Sequence, residues 1–142
     1  MTRPDREPEP ELLVVAAHEL GHATVDSALG LTVISIELDR AAYTGVTRVD
    51  LDDTCTKELR AALIGSLAGY EAERMWCHRH DGQAVRSCAT TDYAQFRRER
   101  HRVEGLTEAV ARAHARATLA RHWHHVERLA HRLAQRGHVQ PW

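Results

Sequence analysis

Between residues 18 and 22 the chain reads His-Glu-Leu-Gly-His, and this run constrains the fold more than any other stretch. Residues four apart lie on one face of an α-helix, so His18 and His22 can both reach a single metal ion. Glu19 then borders the coordination position that the protein leaves open. A carboxylate there can take a proton from metal-activated water, the central step of metal-assisted peptide hydrolysis. The flanking sequence supplies the helix. Leu12, Val15, Leu20 and Ala23 recur at helical spacing across Glu11 to Leu29, while Pro10 suits the first turn and Gly30 the position just past the end. The expectation is a Zn²⁺ site on a helix.

At 142 residues the chain suits one domain, without room for an appended enzyme module. Aromatic residues make up only 5%, against abundant Ala and Leu, which predicts helices packed through small side chains. No apolar run approaches the ~18 residues that span a bilayer, and no signal-peptide pattern opens the chain, so the expected location is the cytoplasm without a membrane partner. Cys55, Cys77 and Cys88 are odd in number and irregular in spacing, which argues against a disulfide framework and for small, partly buried side chains. Charge is uneven. From Arg86 to Arg136 there are 11 Arg against five acidic residues, a surplus of +6 in a chain whose net charge is −1. Such a bias can mark a nucleic-acid partner, but Arg solvated on helix faces is the simpler reading.

Residues 1–9 carry two of the four prolines among alternating charges and read as a disordered lead-in to a single domain over 10–142. After the motif helix, Leu31 to Leu38 alternates Ile34, Ile36 and Leu38 against Ser35 and Glu37 and predicts a strand. Ala41 to Gly45 reads as a turn, and Val46 to Val49 as a returning strand. Thr56 to His78 predicts a second helix with Leu59, Leu63, Leu67 and Tyr70 as its apolar stripe, followed by a polar loop from Arg79 to Ala89. Thr90-Thr91-Asp92 offers N-cap chemistry for a third helix reaching about Val103. Thr107 to Arg136 predicts one long helix whose apolar face runs through Val110, Ala113, Ala117, Ala120 and Trp123, with Gly137 as its stop. The fold class is therefore mainly α, an α+β arrangement with a small β-hairpin or sheet after the motif helix.

Two histidines do not complete a catalytic zinc site, which needs a third protein ligand and a water. The extended metzincin pattern is excluded, because Val25 and Ala28 stand where its Gly and third His would fall. Glu58, Glu71, Glu73, Asp81 and Asp92 remain as candidates, and spacing alone does not choose among them. Glu71 and Glu73 cannot share a helix face, so at most one points at a metal and the other is expected to be a solvated surface charge.

The run His18 to Val25 resembles the HExGHAxV segment of the FtsH family of zinc metallopeptidases. Val33 to Ile36 with Tyr43 to Val46 is similar to that family's strand and glycine-containing turn. Leu67 to Glu73 resembles its LGGRAAEE helix, Thr90 to Gln95 its SNDLxxA segment, and His125 to Ala130 its late helix. The resemblance covers roughly residues 11–136 in order. It implies zinc held by His18, His22 and Asp92, Glu19 as general base, and Glu73 as a partner behind a ligand. The chain departs from the family by lacking the GxxxxGK[ST] phosphate loop and the membrane segments, and by carrying Tyr70 and Arg74 where Arg and Glu are usual.

The function expected from these features is a zinc endopeptidase that acts on unfolded or flexible polypeptide without ATP. The strand over Val33 to Leu38 is a candidate for pairing with extended substrate. Tyr43, Tyr70 and Tyr93 are the candidates for stabilising an oxyanion. The alternative is a non-enzymatic binding or regulatory module that keeps the fold and contacts nucleic acid or an acidic protein through its basic C-terminal helices. Cys77-His78-Arg79-His80 with Cys88 matches no established metal pattern, and at least three of His122, His124, His125, His131 and His138 are expected simply to face solvent. Trp76 and Trp123 read as core or core-edge residues.

Overall fold

The computed structural model describes residues 7–80 and 89–140. Its helices are α1 (Pro10–Ala28), α2 (Thr56–Arg79), α3 (Ala89–Glu99) and α4 (Glu108–Arg136), and its strands are β1 (Thr32–Asp39), β2 (Thr44–Asp50) and β3 (His138–Val139). The fold is mainly α with a small antiparallel sheet. Most of the expected disordered lead-in, like Asp81, Cys88 and the polar loop, lies outside the described residues.

Pro10 starts α1 at a position whose N–H would be orphaned anyway, and Glu11 sits in its first turn. Every residue from Val14 to Asp26 is buried, because α2, α4 and the hairpin cover α1 from different sides. The motif helix is thus the axis of the domain. Gly21 allows the closest of these approaches: a Cβ there would overlap Ala72 and come within 2.8 Å of the Ala68 carbonyl oxygen. That contact seats His18 and His22 directly against α2.

The hairpin corrects the expected alternation. A bulge between Val33 and Ser35 turns Ile34 out to solvent at 55% exposure, while Ser35 and Ile36 are both buried. The Asp39 carboxylate accepts from the amides of Ala41 and Ala42 at 3.1 and 3.0 Å, and Tyr43 takes the left-handed conformation with φ 55. Gly45, expected in the turn, belongs to β2 instead. Its lack of a side chain is needed there because a Cβ would meet Glu19 Cγ at 2.6 Å and Leu38 Cδ2 at 2.7 Å.

The sheet order is β2-β1-β3, so β1 is the central strand and not an edge open to substrate. β3, which the sequence pattern did not indicate, pairs Val139 with Ile36 and His138 with Glu37. Among the described residues the long unpaired edge belongs to β2.

The third helix is shorter than expected. Asp92 lies inside the first turn of α3 rather than at its cap, and the helix ends at Glu99. A single 3₁₀ turn over Arg100–Arg102 follows, after which Val103 becomes extended and enters the core. Thr107 caps α4 by accepting from the Val110 amide at 3.1 Å, and Gly137 closes it with φ 79 and its N–H on the Leu133 carbonyl at 2.8 Å. His122 has non-helical dihedrals, so α4 is kinked there. The expected apolar face of α4 is wrong by a rotation. Val110, Ala113, Ala117 and Ala120 are exposed, while Ala111, Ala115, Leu119, Trp123, Val126 and Leu133 are buried. Alanine occupies both faces and carries no contrast; the spacing of Leu119, Val126 and Leu133 would have found the core side.

Among the described residues no helix is long and apolar enough to cross a membrane.

Candidate metal centre

His18 and His22, one turn apart on α1, point their Nε2 atoms to within 2.9 Å of each other. Asp92, from the first turn of α3, places Oδ2 3.0 Å from His18 Nε2 and 3.2 Å from His22 Nε2. These three residues form a group that can hold a metal ion, with ligand atoms within 4.8 Å of one another. The other ring nitrogens fix the tautomers. His18 Nδ1 donates to Glu73 Oε1 at 2.5 Å, and His22 Nδ1 donates to the Gly65 carbonyl at 2.7 Å. Both Nε2 lone pairs therefore converge on the point that Asp92 also faces.

One face of α2 is shaped for this. Gly65, Gly69 and Glu73 step by four residues, giving in turn a carbonyl acceptor, an open space and a carboxylate acceptor. A Cβ on Gly69 would lie 2.5 Å from His18 Nε2 and 2.6 Å from His22 Nε2, so glycine keeps clear the volume beside both nitrogens. The sequence signal for this face was the Gly65-Gly69-Glu73 spacing, legible only once its partner helix is known.

Glu19 is 5% exposed and takes the side of α1 that faces β2. The Thr47 hydroxyl lies 3.0 Å from both the Glu19 carbonyl and its Oε2, one donor shared between them. Sequence reasoning did not single out Thr47, because nothing along the chain links residue 47 to residue 19.

The electrostatics suit a cation. Burial alone would lower both imidazole pKa values, but hydrogen bonds from His18 to Asp92 and Glu73 raise His18 above its ordinary value. Burial likewise opposes protonation of His22, yet its bond to Asp92 and the charges of Glu19 and Asp92 bring it up to about 10. Burial would raise Asp92, and its bonds to both imidazoles outweigh that and hold it well below the usual carboxylate range. Without a metal, protons on the imidazoles balance these carboxylates; a divalent cation meets the same demand and displaces those protons.

The remaining candidates stand elsewhere. Glu58 Oε1 accepts from the Asp52 amide at 3.3 Å near the start of α2. Glu71 is not a solvated surface charge: it is 2% exposed and paired with Arg112 at 2.8 Å, with Arg116 at 3.9 Å, on the side of α2 that faces α4. His80 stacks on Trp76 and pairs with Glu127 at 2.9 Å. Tyr43 donates to Glu9, whereas Tyr70 and Tyr93 meet edge to face with centroids 5.9 Å apart. Of the five C-terminal histidines only His124 and His138 are exposed.

No protein-family model matches this chain, and the comparison with curated proteins found no match.

Proposed function

We propose that this chain is a zinc metallopeptidase, an endopeptidase of the FtsH-like kind that cleaves unfolded or flexible polypeptide in the cytoplasm without ATP. The observation that carries this reading is the convergence of two imidazole nitrogens and one carboxylate oxygen beside a buried glutamate. The edges of that triangle, 2.9, 3.0 and 3.2 Å, approach the ~3.3 Å separation of ligands around tetrahedral zinc. Two imidazoles and one carboxylate form a donor set of the catalytic zinc type, which keeps its fourth position for water or substrate. The sequence resemblance across residues 11–136 supports the same assignment.

Zinc, when bound, supplies Lewis acidity and makes water acidic enough to react near neutral pH. The protein's own groups do the rest. Glu73 and the Gly65 carbonyl hold the two imidazoles in their metal-facing tautomers. Thr47 engages Glu19 at Oε2, so Oε1 takes the proton from the attacking water and returns it to the leaving amine. The unpaired edge of β2, which carries Thr47, suits an extended substrate added as a further strand.

Glu19→Gln tests the reading. It keeps size and helix propensity but cannot accept the proton, so zinc content should stay at about one per chain while cleavage of a disordered polypeptide falls at least ~100-fold. Normal cleavage by this variant would overturn the mechanism. Stable folded domains should remain uncut and added ATP should have no effect, since the proposed enzyme waits for spontaneous opening of its substrate.

A further inference from the structure

The C-terminal end of α1, the second half of α4 and β3 enclose a cleft of about 600 Å³ that the proposed reaction does not use. It lies across α1 from the metal centre: Thr24, which lines it, is two residues beyond His22 and so roughly 200° around the helix. Arg128, Arg132 and Arg136 follow one another at i,i+4 spacing on the α4 wall, about 6 Å apart along the axis. His125 and His138 add imidazoles. No described residue lining the cleft is acidic, and no described carboxylate pairs with any of these guanidiniums.

Helix polarity accounts for only part of this charge. α1 and α4 both end here and together present the equivalent of roughly one negative charge, against three guanidiniums. The α4 terminus is already served by Arg40 on the Gln135 carbonyl and by the Gly137 amide on Leu133. Burial first, and then the charges of His124, Arg128 and His122, hold His125 below its usual range. A second observation is independent of charge. Thr24 is 3% exposed, and among the described residues its hydroxyl has no hydrogen-bond partner although the residue lines the cleft.

We propose that this cleft binds a small anion carrying two or more phosphoryl groups, held by Arg128, Arg132 and Arg136 with the Thr24 hydroxyl completing the site. Its volume falls in the range of small-molecule sites. Guanidinium forks match phosphate oxygens two at a time, and three positive charges suit a diphosphate better than a single carboxylate. The described lining residues include no Phe, Tyr or Trp, so a base would have to stack on an imidazole or a guanidinium, and the phosphoryl groups are the part of a ligand that this lining matches best.

The test is a titration of the full chain with inorganic pyrophosphate, read by NMR. Because pyrophosphate also competes for metal, the signals to follow are the ring protons of His125 and His138. These should shift saturably, while those of His80 and His131 stay in place. Orthophosphate should bind at least about tenfold more weakly, and Arg132→Gln should weaken pyrophosphate binding by about tenfold or more. Thr24→Val, which removes only an unpartnered hydroxyl, should weaken binding by roughly threefold or more without lowering the melting temperature. Arg60→Gln, on the exposed side of α2, should change nothing. Tighter binding of ADP than of pyrophosphate would identify a nucleotide as the source of the phosphoryl groups, and equal binding would identify the phosphoryl groups alone. Unaltered binding by Arg132→Gln, or equal weakening by Arg60→Gln, would overturn the site in favour of diffuse surface charge. A single-stranded oligonucleotide that displaces pyrophosphate with affinity rising with its length would overturn it in favour of a nucleic-acid face.

Discussion

Gly69→Ala separates the metal centre from the fold, because one added methyl enters the volume shared by both ligand nitrogens. Its Cβ would stand 2.5 Å from His18 Nε2 and 2.6 Å from His22 Nε2. An ordinary contact needs about 3.4 Å or more, so each ring must withdraw by roughly 0.8–0.9 Å. Metal–ligand distances tolerate only about 0.2 Å, a fourfold smaller margin. Withdrawal also strains the bonds from His18 to Glu73 at 2.5 Å and from His22 to the Gly65 carbonyl at 2.7 Å. Each such bond contributes about 1 kcal/mol, while alanine in a helix interior gains ~0.8–1 kcal/mol over glycine. The metal-free protein should therefore change in stability by only about 1 kcal/mol. The metal-dependent increment should vanish, and in the parent protein that increment is about 4 kcal/mol at a metal concentration 1,000 times Kd. Urea denaturation with chelator and with saturating zinc measures both quantities, and elemental analysis after gel filtration counts the bound metal. A variant that keeps about one metal per chain and the full increment would refute the placement of the ion between these rings.

Burial pushes Asp26 up to about 7, against the positive charge of His22 and with the negative charge of Glu19, so the folded protein keeps a proton that the unfolded chain releases near 3.8. That stability is fully present below about pH 4 and is lost as the pH rises through 7; Asp26→Asn should raise stability at pH 8 by on the order of 2–4 kcal/mol and flatten the profile between, and an unchanged slope would contradict this. Glu71→Ala removes a buried carboxylate whose partner Arg112 can still reach water, and should cost about 1.5–2 kcal/mol while metal content stays unchanged; loss of metal would return Glu71 to the site. Glu73→Gln removes the charged acceptor behind His18 and should weaken metal affinity about tenfold in a competition titration, with thermal stability nearly preserved; an unaltered affinity would make Glu73 a spectator.

Features that depend on neighbours along the chain were legible in the sequence. The helix through His18, Glu19 and His22 followed from apolar spacing between Pro10 and Gly30, and the span of α4 from the chemistry of Thr107 and Gly137. The apolar stripe of α2 was readable because its leucines contrast with the polar residues between them. Where contrast failed, so did the reading: the alanines of α4 occupy both faces, and its core side is marked instead by Leu119, Val126 and Leu133, which pack toward α1 and α2. Ile34 looked like a core residue until a bulge displaced it. Residue spacing alone could not choose the acid that completes the metal-binding triangle, since Asp92 lies 74 residues beyond His18. Only the tertiary structure brings them together, through the close approach that Gly21 permits against Ala72 and the open space that Gly69 keeps. The same holds for Thr47 on Glu19 and for the cationic cleft, whose walls come from α1, α4 and β3. Local periodicity records which face of an element avoids water, whereas a site depends on which elements meet, and that is decided by packing between distant segments.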